Sequence, residues 1–160
     1  MAKYLIDFDG VILDTQDRFD EYIKNHPDTS WSEFLTSLDW ESFLKESEEI
    51  CDSLTILREV QDRGVVAGIL TKVHSLFEAS CKVKFLRESG ITVPVMIVPI
   101  GNSKSEVYYP NEGEVLIDDY IKNIEDFIAH GGDGILFDRQ GKSDFKNKVD
   151  SLEFLRSENP

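Results

Sequence analysis

Five continuous apolar runs, at residues 4–8, 65–70, 93–98, 115–117 and 135–137, constrain what this 160-residue chain can fold into. They are unbroken rather than alternating, as expected of parallel strands covered on both faces. Helical patterns separate most of them. Residues 52–63 stop at Gly64; Ser75-Leu76-Phe77-Glu78 has capping-box spacing and opens a helix running to Gly90; residues 120–130 end at Gly131-Gly132; residues 143–155 form a last amphipathic helix. This alternation predicts an α/β domain built on a doubly wound parallel five-stranded sheet, with its sites at the carboxyl ends of the strands.

The stretch between the first two runs breaks the pattern. Residues 14–53 hold two helical patterns and no strand, and Ser30-Trp31-Ser32-Glu33 is a second capping box. Twelve acidic and three basic residues give this segment −9 of the chain's net −14. It reads as a small helical cap over the sheet, inserted into a core formed by residues 1–13 and 54–160; an ordinary long helical crossover is the plainer alternative. Its aromatic residues Phe19, Tyr22, Trp31, Phe34, Trp40 and Phe43 are spaced mostly as cap core, leaving one or two to line a pocket.

A net charge of −14 repels phosphodiester backbones, so polymeric nucleic acid is not an expected partner. A small phosphorylated substrate stays compatible, because a bound metal can dominate the local field. Cys51 and Cys81 lack paired spacing and read as reduced thiols. The longest apolar stretch, residues 91–100, contains Pro94 and Pro99 and is too short to span a bilayer. The first strand follows the amino terminus directly, so no signal peptide is expected. A cytoplasmic monomer or homodimer is expected.

Four strand ends carry polar groups: Asp7 and Asp9 after the first, Thr71-Lys72 after the second, Asn102-Ser103-Lys104 after the third, and Asp118-Asp119 after the fourth. Desolvated carboxylates need pairing, so two aspartates closing a buried strand indicate a cation site with chemistry attached. Phosphoryl transfer needs a nucleophile, a proton donor and positive charge on the phosphate oxygens. A carboxylate can serve as nucleophile, and a second carboxyl two residues on can protonate the leaving oxygen. Mg²⁺ suits Asp7, the Asp9 carbonyl and one of Asp118 and Asp119. A threonine hydroxyl, backbone amides and one lysine can hold the remaining phosphate oxygens.

These motifs, Asp7-Phe8-Asp9-Gly10-Val11, Thr71, Lys104 and Asp118-Asp119, resemble those of the haloacid dehalogenase (HAD) superfamily, most of whose members are phosphatases. The resemblance implies a HAD-like Rossmannoid core and Mg²⁺-dependent hydrolysis of a small phosphorylated metabolite through an aspartyl-phosphate. It makes Asp7 the nucleophile and Asp9 the general acid, then base. Asp119 becomes the direct metal ligand, Asp118 acts through a metal-bound water, Thr71 and Lys104 bind the phosphoryl group, and Asn123 faces the site. Dehalogenases of the superfamily usually lack the second aspartate. Residues 115–127 and 130–137 further resemble the 5′(3′)-deoxyribonucleotidase family, implying a (deoxy)nucleoside monophosphate as substrate. After Thr71 that family often has a small residue and proline, where this chain has Lys72-Val73-His74.

Other readings stand beside these. The aspartate pairs could cap helices, and Thr71 could simply end a strand. Lys72 competes with Lys104 for the phosphate, whereas Lys82 and Lys84 fall in a helix expected to point away. His26, His74 and His130 lack metal-ligand spacing, and His74 reads as a solvated loop residue near Thr71. Sugar phosphates are the alternative substrates, and an idle metal-binding regulatory module is the alternative outside enzymes.

Overall fold

In the computed structural model, which describes residues 2–160, the first apolar run becomes β1 (Lys3–Ile6) at the interior of a sheet. Three helices follow: α1 (Thr15–Asn25), α2 (Trp31–Ser37) and α3 (Trp40–Glu46). Then α4 (Ser53–Val60) leads to β2 (Val66–Val73), α5 (Leu76–Glu88) to β3 (Val95–Pro99) and α6 (Lys104–Val107) to β4 (Glu114–Asp118). The chain continues through α7 (Ile121–Ala129), β5 (Asp133–Phe137) and β6 (Lys148–Val149) to a closing 3₁₀ helix, Glu153–Ser157.

The strand order is β3-β2-β1-β4-β5-β6, and every pairing is parallel. The winding goes outward from β1 to β3, then reverses to run from β4 to β6. This reversal makes a crevice between the carboxyl ends of β1 and β4. Tyr4, Ile6, Val115, Ile117, Ile135 and Phe137 pack on one face of the sheet, and Leu5, Leu116 and Leu136 on the other. That is the period of two expected of strands. Leu57 and Val60 of α4 with Leu86 of α5 cover the first face; Ile124 and Phe127 of α7 cover the second. Pro99 is tolerated because β3 is an edge strand.

Two expectations need correction. The sheet has six strands, not five, and residues 143–155 do not form a helix. Asp138 accepts the Lys142 and Ser143 N–H groups (3.2 and 2.9 Å) and turns the chain back along β5. There Lys148 and Val149 pair with Leu136 and Phe137. The spacing of three between Leu152 and Leu155, both buried, is met by a 3₁₀ turn.

The segment between β1 and α4 holds three helices where two were expected. Ser30 forms the anticipated capping box with Glu33, and Asp39 caps α3 by accepting the Ser42 N–H (3.3 Å). Phe19 holds the helices together: its ring lies 5.1 to 5.9 Å from those of Trp31, Phe34, Trp40 and Phe43. Each such pair adds about 0.5–1.5 kcal/mol beyond area burial. Phe19, Phe34, Trp40 and Phe43 share one core cluster with Phe8 and Ile12 after β1. Cys51 and Cys81 are both free. Among the described residues, no helix is long and apolar enough to cross a membrane.

Candidate active site

The Asp7 N–H bonds the Ile117 carbonyl (2.9 Å), so β1 stays paired to β4 one residue past its end. Asp7 therefore stands beside Asp118 and Asp119 at the switch point. One carboxylate oxygen from each of the three lies within 4.8 Å of the others, a hard-oxygen set that could hold a metal ion. Burial, and then the Asp118 charge, push Asp7 up to about 7. Burial, then the charges of Asp7 and Asp118, push Asp119 up to about 9. The cluster thus carries more negative charge than its protein partners balance, which is what a divalent cation would relieve.

Lys104 partly offsets that charge. Its ammonium donates to Asp7 Oδ1 and Asp118 Oδ2, both at 2.6 Å, and the side chain is 2% exposed. Burial alone would lower its pKa, but the Asp118 and Asp7 carboxylates raise it. The lysine is delivered by the first turn of α6, which is tied to α7 by the Ser105 hydroxyl donating to Asp126. Asp118 is fully used: Oδ2 also accepts from Asn123 Nδ2 (3.0 Å), and Oδ1 accepts the Tyr120 N–H (2.9 Å). It supports the turn into α7 as well as the cluster. Gly10 makes room for the remaining aspartate, since a Cβ there would lie 2.0 Å from Asp119 Oδ2.

Asp9 is held by two donors, Thr15 Oγ1 on Oδ1 (2.6 Å) and Lys82 Nζ on Oδ2 (2.7 Å). Lys82 corrects the expectation that its helix side chains point away. Its stem runs inward from α5, its Nζ lies 5.1 and 5.8 Å from the ring centres of Phe8 and Trp40, and it is fully buried. It also donates to Thr71 Oγ1 (3.1 Å) and the Lys72 carbonyl (3.2 Å), and pairs with Glu78 at 2.8 Å. Burial would lower its pKa, but Asp9 and Glu78 raise it. Lys84 does point outward, to Glu41. The missed signal was the spacing Glu78–Lys82–Leu86, which puts both charges on the helix stripe of a core leucine.

A cavity of ≈560 Å³ opens over these groups. Asp7, Asp9, Asp118, Asp119, Lys104, Lys72 and Asn123 line its floor, with His74, Ile100 and Tyr120 beside them and Gln16, Phe19, Asp20 and Trp31 from the insertion above. Thr71 does not line it: the side chain is fully buried and its hydroxyl faces Lys82. Of the insertion's aromatic residues, Phe19 and Trp31 reach the cavity, while Tyr22, Phe34 and Phe43 line a separate one.

No protein-family model matches the chain. No curated protein sequence matches it either. Solved structures do. A HAD phosphatase from Thermococcus onnurineus superposes with a TM-score of 0.66 at 18% identity, over 98% of this chain and 97% of that one. The HAD-hydrolase YfnB from Bacillus subtilis, solved bound to magnesium, gives 0.64 at 13% identity over 98% and 97%. A dehalogenase gives 0.62 at 12% identity over 98% and 96%. Over nearly its whole length, the chain has the HAD fold.

Proposed function

We propose that the protein is a Mg²⁺-dependent phosphomonoesterase acting on a small phosphorylated metabolite. The observation that carries this reading is the convergence of Asp7, Asp118 and Asp119 around Lys104, with Asp9 in the same cavity. Asp7, the Asp9 carbonyl and Asp119 would hold the metal. Asp118 would act less directly, because protein donors already occupy both its oxygens. Bound there, Mg²⁺ supplies positive charge to the phosphate oxygens. Lys72 and Lys104 supply the protein's share, while Thr71 supports Lys82.

Asp7 attacks phosphorus, the ester P–O bond breaks, and Asp9 gives its proton to the departing oxygen. Asp9, now a carboxylate, takes a proton from water; the hydroxide attacks phosphorus, the bond to Asp7 breaks, and inorganic phosphate leaves. Asp9 favours this chemistry over dehalogenation. Residues 14–53 act as a cap whose Phe19 and Trp31 enclose the organic part of the substrate. Exposed Trp31 and Tyr120 offer flat apolar faces, which favours a (deoxy)nucleoside monophosphate over a sugar phosphate. The acidic cap disfavours polymeric nucleic acid.

The test is phosphate release from a panel of nucleoside and sugar monophosphates, with Mg²⁺ and with chelator. Turnover should require Mg²⁺. Asp7→Asn should abolish it while leaving the circular dichroism spectrum unchanged. A variant that kept most of its activity would rule out the aspartyl-phosphate route.

A further inference from the structure

Glu78 and Lys82 are buried charges beside the cavity that take no part in the steps above. Glu78 is 1% exposed, yet it is among the residues lining the cavity. One of its oxygens accepts the His74 N–H (2.9 Å) and faces His74 Nδ1 (3.2 Å); the other pairs with Lys82 (2.8 Å). Burial would raise the Glu78 pKa, but the His74 hydrogen bond and the Lys82 charge lower it, so it is a carboxylate and can only accept. The proton of the imidazole therefore sits on Nδ1, and in the neutral ring Nε2 is the bare acceptor.

The His74 side chain is 39% exposed and lines the cavity. Its place there follows from Lys82, which grips Glu78 and Asp9 together at 2.8 and 2.7 Å. The imidazole is thus held at the cavity through the same lysine that binds Asp9.

We propose that His74 is a specificity-determining residue, accepting through Nε2 a hydrogen bond from a hydroxyl on the leaving group. Glu78 is its positioning residue. The proposal rests on the phosphomonoesterase reading.

The experiment measures kcat/KM, with Mg²⁺, for two matched pairs and one probe. The pairs are thymidine 5′-monophosphate against its 3′-deoxy analogue, and glycerol 1-phosphate against propyl phosphate; the probe is phenyl phosphate, which has no donor. The wild type should prefer the hydroxyl-bearing member of at least one pair by roughly tenfold, the worth of one hydrogen bond. His74→Ala should bring that ratio close to one. Glu78→Gln should lower it partway, mainly through KM. In that variant the imidazole ¹⁵N signals should also lose the Nδ1-protonated form. If phenyl phosphate is cleaved but the wild type shows no preference, or His74→Ala retains it, the assignment of His74 is overturned. If no ester is cleaved, the phosphomonoesterase reading falls and the proposal with it.

Discussion

Gly10 and Asp119 compete for the same space, and glycine is the residue that lets both fit. Its φ of +79° is left-handed, and an added Cβ would collide with the Asp119 carboxylate. Gly10→Ala should therefore displace Asp119 and cost roughly tenfold or more in Mg²⁺ affinity, as lost ligand orientation does. Titrating the Mg²⁺-induced rise in melting temperature checks this; an unchanged midpoint would mean that Asp119 is not a ligand. Asp7, Asp9, Asp118 and Asp119 were legible in the sequence because each pair sits at the end of an apolar run. The meeting of Lys82 with Asp9 was not, because the two lie 73 residues apart and only the packing of α5 brings them together.

At the scale of elements, the joint where the insertion re-enters the sheet domain is strained. Cys51 and Asp52, with φ of +47° and +56°, are the two non-glycine residues with positive φ among those described. They follow the bridge between Leu13 and Glu49 and lead directly into α4. A left-handed residue with a side chain costs about 1–2 kcal/mol. Cys51→Gly should recover part of this, up to about 1 kcal/mol, offset by the greater freedom of glycine in the unfolded chain. A rise in melting temperature of roughly 2–4 °C is expected for a chain of this size. A lower melting temperature would show that the Cys51 side chain contributes more than its backbone costs. The carboxyl-terminal segment shows the limit of local pattern in the other direction. Its spacing looks helical over residues 143–155, but the open edge of β5 offers backbone partners that a helix would forgo.

For the whole molecule, the unbalanced carboxylates at the switch point dictate how stability follows pH. Asp7 and Asp119 hold protons more tightly folded than unfolded, with folded values near about 7 and about 9. The unfolded state then binds fewer protons, so stability is lost as pH rises through this window. In chelator the melting temperature should fall from about pH 5 to about pH 9, both set by ordinary and raised carboxyl values. Mg²⁺ should raise it most at the alkaline end. Melts in chelator that rose steadily over this range would contradict the clustering of unpaired carboxylates. The layered α/β architecture and the placing of four aspartates at strand ends can be read from the chain alone, because strand burial and strand-end carboxylates are written in contiguous residues. Packing was needed to reveal the sixth strand, the burial of Thr71 beneath the cavity, and the meeting of Lys82 with Asp9. Each of these depends on which distant groups the packed helices bring within hydrogen-bond reach, and local spacing carries no record of that.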